Sequence, residues 1–293
     1  MTGAFDGTES LVHLEGFCYM SSEAWQDTTS KQIQEWFAAA LDVQAVALFG
    51  SSKKASALRD EWSDIDVIVV VETDALPKYH PNIDWVKTIG EVYTYEQSST
   101  PFTFVTRCCF RDGRRVDFVF ATLAAIETID EWPQLPWWEG SRILFSRSEA
   151  LSALLGRTSV PPAPPLMNSE AFATMTHSFR FKGMLAVSKI VRNDLLIALH
   201  LVLEMQQDCC VLGMILRDRA EGTSHHRSGG IGNSLVTELQ ASQFAYTISS
   251  LLDGIERMVL LFDNLAAQWT GEYRPDPIPL LNAVAKARNI ELP

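Results

Sequence analysis

The sequence predicts an α+β protein: an N-terminal α/β domain with a mixed sheet over residues 1–160, then an all-helical bundle over residues 166–293. Strand-like apolar runs alternate with shorter helical ones through the first half, whereas beyond residue 166 apolar residues recur every three or four positions. Between the halves stands Pro161-Pro162-Ala163-Pro164-Pro165, four prolines in five residues that can neither donate backbone hydrogen bonds nor continue a helix. A chain of 293 residues is also long enough for two cores of ordinary size.

Residues 30–41 read as a helix and 45–49 as a strand. Residues 65–71 are nearly apolar throughout, as expected of a strand covered on both faces. A helical stretch near 84–89 precedes strands over 92–95, 102–110 and 116–121. The last two flank Arg111-Asp112-Gly113-Arg114, whose Asp-Gly is a strong hairpin signal. In the second half Asn168 is placed to cap a helix running to about Arg192, and Asn193 to cap another running to about Arg219. Residues 224–232 form a polar, Gly-rich loop, 234–270 are long enough for one helix or two, and 279–288 make a short final helix. There is no internal repeat.

With 36 Asp and Glu against 24 Lys and Arg, a net charge of −12, the chain lacks the cationic excess that drives duplex nucleic-acid binding, and it suits cationic partners better. No run approaches eighteen uninterrupted apolar residues, and the first thirty carry Glu9, Glu15, Glu23 and Asp27 in place of a basic start and an apolar core. A cytoplasmic protein with no membrane partner is expected. Cys18, Cys108, Cys109, Cys209 and Cys210 show no Cys-x-x-Cys spacing and read as reduced core residues, not as zinc ligands.

The informative segment is Ala47-Leu48-Phe49-Gly50-Ser51, followed by a spacer over residues 52–63 and then Asp64-Ile65-Asp66-Val67. Gly50 lets the backbone turn and approach a ligand closely, and Ser51 adds a hydroxyl beside exposed N–H groups, as a phosphate-binding turn requires. Asp64 and Asp66, two apart at the start of an apolar strand, share one face about 6–7 Å apart. Such a pair suits a hard divalent cation such as Mg²⁺; otherwise Asp64 caps a turn and Asp66 is solvated at an edge. Asp117, within Arg114-Arg115-Val116-Asp117-Phe118-Val119-Phe120, lies in an apolar strand and needs a cation. Either Arg114 or Arg115 supplies it, or Asp117 faces the same ions as Asp64 and Asp66.

Strand, Gly-Ser, spacer, Asp-apolar-Asp-apolar and a third Asp on a later strand resemble the DNA polymerase beta nucleotidyltransferase superfamily. Within it the chain is most similar to the aminoglycoside 6-adenylyltransferases, the streptomycin-modifying enzymes, with Trp85 to Gly90 and Arg192-Asn193-Asp194 followed by Ala198 as further points of likeness. The resemblance, over about residues 44–208, implies Mg²⁺-dependent transfer of AMP from ATP to a hydroxyl of a small molecule, with release of pyrophosphate. It implies that Gly50 and Ser51 hold the β- and γ-phosphates. Asp64 and Asp66 would then bind the ion on the triphosphate and, with Asp117, a second ion at the acceptor; Asp117 acts as metal ligand or as general base. Those relatives usually carry Arg or another phosphate-facing residue after Gly-Ser; here Ser52, Lys53 and Lys54 follow, so either triphosphate binding is weakened or its contacts pass to the lysines. Lys182 and Lys189 either reach the triphosphate or form a solvated basic face.

The resemblance places nucleotide and acceptor in a cleft between two domains of a monomer or homodimer. A polycationic aminoglycoside fits it as acceptor; a lincosamide, a protein hydroxyl or a non-catalytic nucleotide sensor are the other readings. His225-His226 read as part of a solvated loop or lid, and Trp132, Trp137 and Trp138 as core or interface packing in preference to base-stacking groups.

Overall fold

The computed structural model describes residues 24–53, 62–133, 135–137, 139–160, 167–221, 233–240 and 244–290. Lys54, the proline segment 161–165, Trp138 and the 224–232 loop with His225 and His226 lie outside the described residues. The chain divides into two compact units, Met1–Pro161 and Pro162–Pro293.

In the first unit, helix α1 (Trp25–Ala39) is followed by β1 (Val43–Phe49), β2 (Ile65–Val71), β3 (Val92–Ser99), β4 (Phe104–Phe110) and β5 (Arg115–Thr122). Helix α2 (Leu123–Glu127), β6 (Arg142–Ser146) and α3 (Glu149–Leu155) complete it. The six strands form one sheet in the order β3-β4-β5-β2-β1-β6. Strands β2 and β5 run parallel at its centre, and the other pairings are antiparallel, so the sheet is mixed as the sequence predicts.

Both central strands are apolar because each face meets a core. Ile65, Val67, Val69, Phe118 and Phe120 point to one side, against Ile33 and Phe37 of α1 and against Trp85. Ile68, Val70, Val119 and Ala121 point to the other, against Ile126, Trp132, Trp137, Leu151 and Leu155. The period of two along each strand separates the sets. The Trp85 ring meets Phe118 edge-on at 4.8 Å, and its indole N–H donates to the carbonyls of Tyr79 and Asn82. Trp132 and Trp137 are core residues, as expected.

Several boundaries differ from the sequence reading. Helix α1 begins at Trp25, not near residue 30, because its first two turns bury the polar Gln26, Thr29 and Ser30 and so show no apolar period. Residues 84–89 form a short 3₁₀ segment, Asp84–Thr88. Strand β6 and helix α3 were not expected: β6 is a half-exposed edge strand of five residues, too short and too mixed to show a period.

The second unit is helical: α4 (Ser169–Val191), α5 (Leu195–Glu221), α6 (Asn233–Gln240), α7 (Ile248–Trp269) and α8 (Ile278–Arg288). Asn168 caps α4 as predicted, its side chain accepting from the Ala171 N–H at 2.7 Å. Asn193, expected to cap α5, instead adopts a left-handed conformation (φ 56°), and its N–H donates to the Ile190 carbonyl, so it ends α4. The stretch 234–270 resolves into α6 and α7, with Thr247 capping the latter. Phe179 and Phe262 stack at 4.0 Å in the core, and Gly183 admits Leu280 where a Cβ would lie 2.5 Å from its methyl.

By length and composition α5 is the one described helix apolar enough to cross a membrane. It is nonetheless interrupted by His200, Glu204 and Asp208, and Ala198, Leu201, Val202, Met205, Cys209 and Leu212 lie in the core of the bundle.

Candidate active site

The first strand ends in a tight turn. Gly50 opens the 3₁₀ segment Gly50–Lys53 with φ +59°, and a Cβ there would lie 2.4 Å from Oδ2 of Asp66. Glycine is thus required twice at this position, for a left-handed backbone and for the approach of a carboxylate. Ser52, fully buried, ties the turn to β2: its hydroxyl accepts from the Asp66 N–H at 3.2 Å and lies within donating distance of the carbonyls of Phe49 and Asp66. Ser51 is partly exposed beside it.

Register then builds the rest. Phe49 is opposite Asp66, Asp66 is beside Asp117 on the parallel strand, Asp117 is opposite Arg107, and Arg107 is opposite Glu96. One row of side chains therefore crosses five strands, with two carboxylates on neighbouring central strands, which lie about 4.8 Å apart. Asp64, two residues before Asp66, joins the group on the same face. Further along, that face is closed by Ile68, Val70, Val119 and Ala121, so the carboxylates sit at the rim of a core.

Asp64 and Asp117 each have an arginine partner. Arg115 Nη2 lies 2.8 Å from Asp64 Oδ2, and Arg107 Nε lies 3.1 Å from Asp117 Oδ2 while its Nη1 reaches Glu96 at 3.1 Å. The sequence reading named Arg114 or Arg115 as the ion-pair partner of Asp117; the structure assigns that contact to Arg107. Arg114 turns away to Asp112, Thr29 and the Ile89 carbonyl. Burial, and next the charge of Asp64, push the Asp117 carboxyl above its ordinary value in spite of Arg107 and Arg115.

An all-oxygen donor set of three carboxylates beside a turn suits Mg²⁺. Among the described residues, however, no three His, Cys, Asp or Glu side chains already converge on one point. Asp64 and Asp117 are each engaged by an arginine through one carboxylate oxygen, Oδ2.

Of the expected phosphate contacts, Lys53 is drawn to the 139–140 turn, donating to the Glu139 carbonyl at 2.7 Å with the Glu139 carboxylate 3.5 Å away. Lys182, in the second unit, pairs with Asp208 at 2.8 Å and Glu204 at 3.8 Å; Lys189 pairs with Asp194 at 3.0 Å. The four described cysteines are free, and burial pushes the Cys108 thiol up to about 12.

Sequence reasoning missed Ser52, Arg107 and Glu96. Arg107 was within reach of it, because a hairpin centred on Asp112 pairs residues equally far from the turn: 110 with 114, hence 107 with 117. Glu96 was not, since the strand expected over 92–95 stops short of it, whereas β3 runs on to Ser99 and pairs Glu96 with Arg107.

A family model described as streptomycin adenylyltransferase matches residues 26–216, from the first turn of α1 into α5. No curated protein sequence matches the chain. Among solved structures, an aminoglycoside 6-adenyltransferase from Bacillus subtilis is similar at 11% identity and a TM-score of 0.41, covering 90% of this chain and 99% of its own. A nucleotidyltransferase-like protein from Exiguobacterium sibiricum is similar at 12% identity and a TM-score of 0.30, covering 89% of each chain.

Proposed function

Because the chain belongs to the streptomycin adenylyltransferase family and is a nucleotidyltransferase, we propose that it moves AMP from ATP to a hydroxyl of a small cationic acceptor, an aminoglycoside, and releases pyrophosphate. The observation that supports this most is the pairing of Asp66 with Asp117 on adjacent parallel strands, beside a turn whose glycine leaves room for the Asp66 carboxylate.

In this reading the Gly50–Lys53 turn receives the triphosphate. Gly50 presents backbone without a side chain, and Ser51 offers a partly exposed hydroxyl to the β- and γ-phosphates. Ser52 holds the turn and Asp66 in fixed relation, so the carboxylate needs no search when nucleotide arrives. Asp64, Asp66 and Asp117 would hold Mg²⁺, which when bound neutralises triphosphate charge and polarises the acceptor hydroxyl. Lys53 reaches a phosphate only by leaving Glu139, which makes it a contact formed on binding and not before. Asp117, with its proton affinity raised by burial and by Asp64, is also the carboxylate best suited to take the hydroxyl proton. An acceptor bearing ammonium groups fits a chain of net charge −12.

The test is mass spectrometry of a panel of aminoglycosides, with lincosamides as the comparison, incubated with the protein, Mg²⁺ and each nucleoside triphosphate. The expected product is an aminoglycoside heavier by one AMP group, with ATP preferred. A panel unchanged by every nucleotide, or modification confined to lincosamides, would overturn the acceptor assignment.

A further inference from the structure

We propose that Arg107 is a positioning residue that holds Oδ2 of Asp117 from the β4 flank, on the side away from Asp66, until a divalent cation displaces it, with Glu96 as the carboxylate that keeps the guanidinium on the sheet afterwards. The inference rests on the reading of Asp64, Asp66 and Asp117 as the Mg²⁺-binding set and adds to it a residue outside that set. Three observations support it. Arg107 is fixed opposite Asp117 by the β4–β5 register, so its presence at the site follows from the fold and not from a chance rotamer. Its Nε lies 3.1 Å from Asp117 Oδ2, on an acid that needs its carboxylate oxygens for a cation. Its Nη1 simultaneously lies 3.1 Å from Glu96, directly opposite on β3 and mostly exposed.

The guanidinium therefore has a partner on either side. Asp117 is the more buried of the two, and its contact is the one in conflict with metal binding. When a divalent cation takes Asp117, the guanidinium keeps Glu96 and stays at the rim of the site, so one favourable contact is lost but the positive charge is not stranded. In the metal-free protein the same arrangement limits the repulsion between Asp117 and Asp64, to which Arg115 contributes from the other side. Arg107 in this role lowers the intrinsic metal affinity of the protein and couples gathering of the acids to arrival of the cation.

The experiment measures Mn²⁺ affinity by electron paramagnetic resonance of the free ion, in the absence of nucleotide. The set is the wild type, Asp66→Asn, Arg107→Gln, Asp117→Asn and the Arg107→Gln/Asp117→Asn double variant, each checked for its far-UV spectrum. Gln keeps most of the volume on a half-exposed strand position, so folding is expected to survive. Removing the competing charge should tighten Mn²⁺ binding roughly two- to fivefold, the range of a half-exposed ion pair. In the Asp117→Asn background the same change should have almost no effect, because the contact through which Arg107 acts is gone. Unchanged or weaker binding in Arg107→Gln would overturn the proposal, as would equal tightening in both backgrounds, which would mark a general field effect. A wild type that binds no Mn²⁺, or whose affinity survives Asp66→Asn unchanged, removes the metal reading and this inference with it. Binding that depends on Asp66 but ignores Arg107 removes the inference alone.

Discussion

At position 50 a side chain and the Asp66 carboxylate compete for one space, since a Cβ would come within 2.4 Å of Oδ2 on a backbone already at φ +59°. Gly50→Ala should therefore cost about 1–2 kcal/mol for the left-handed backbone alone. It should also displace Asp66, lowering turnover by orders of magnitude; urea denaturation and a pyrophosphate assay report the two effects separately. Asp117 makes a pH-dependent prediction. Its carboxyl is raised above 3.8, so the folded state favours the neutral acid: the associated stability is fully present below 3.8 and is lost as pH rises through the higher folded value. Asp117→Asn removes that loss. Its urea midpoint should exceed that of the metal-free wild type at pH 7, with the gap closing as pH falls toward 4, while turnover falls by orders of magnitude. A midpoint difference independent of pH would place the cost of Asp117 elsewhere.

At the scale of elements, one buried hydroxyl ties the turn after β1 to the start of β2. Ser52→Ala leaves the Asp66 N–H without that acceptor, a loss of about 1–3 kcal/mol for a buried donor. Because the same bond sets Asp66 against the turn, its KM for ATP should rise; an unchanged KM with lowered stability would mark Ser52 as purely structural. This residue also shows where sequence reading stops. Position 52 looks like a missing phosphate-facing arginine when only residue type is compared, and only the fold reveals it as a buried tie. Strand β2 and the Asp112-Gly113 hairpin were legible because burial on two faces and a turn dipeptide leave direct marks in the sequence. Asn168 as the α4 cap was legible for the same local reason; Asn193 was not, because asparagine serves helix starts and left-handed helix ends alike. The start of α1 was hidden by polar residues whose burial depends on distant partners, such as the Ser63 carbonyl that accepts from Gln26.

For the molecule as a whole, each of the two compact units has its own apolar core, one built on the sheet and one on stacked helices. The four prolines between residues 161 and 165 lie at their junction in sequence. Limited proteolysis is expected to cut there, or within 224–232, before it cuts inside β1 or β2; first cuts within the sheet would contradict separate cores. The central claim, that the acids beside the Gly50 turn transfer a nucleotide, is tested most directly by acceptor-dependent pyrophosphate release from ATP and Mg²⁺, comparing wild type with Asp66→Asn. Asp66→Asn keeps side-chain volume and removes one charge from a crowded acidic group, so it should fold as stably as the wild type. The account predicts release by the wild type only when an aminoglycoside is present, and none above background from a folded Asp66→Asn. Wild-type rates from that variant would contradict it.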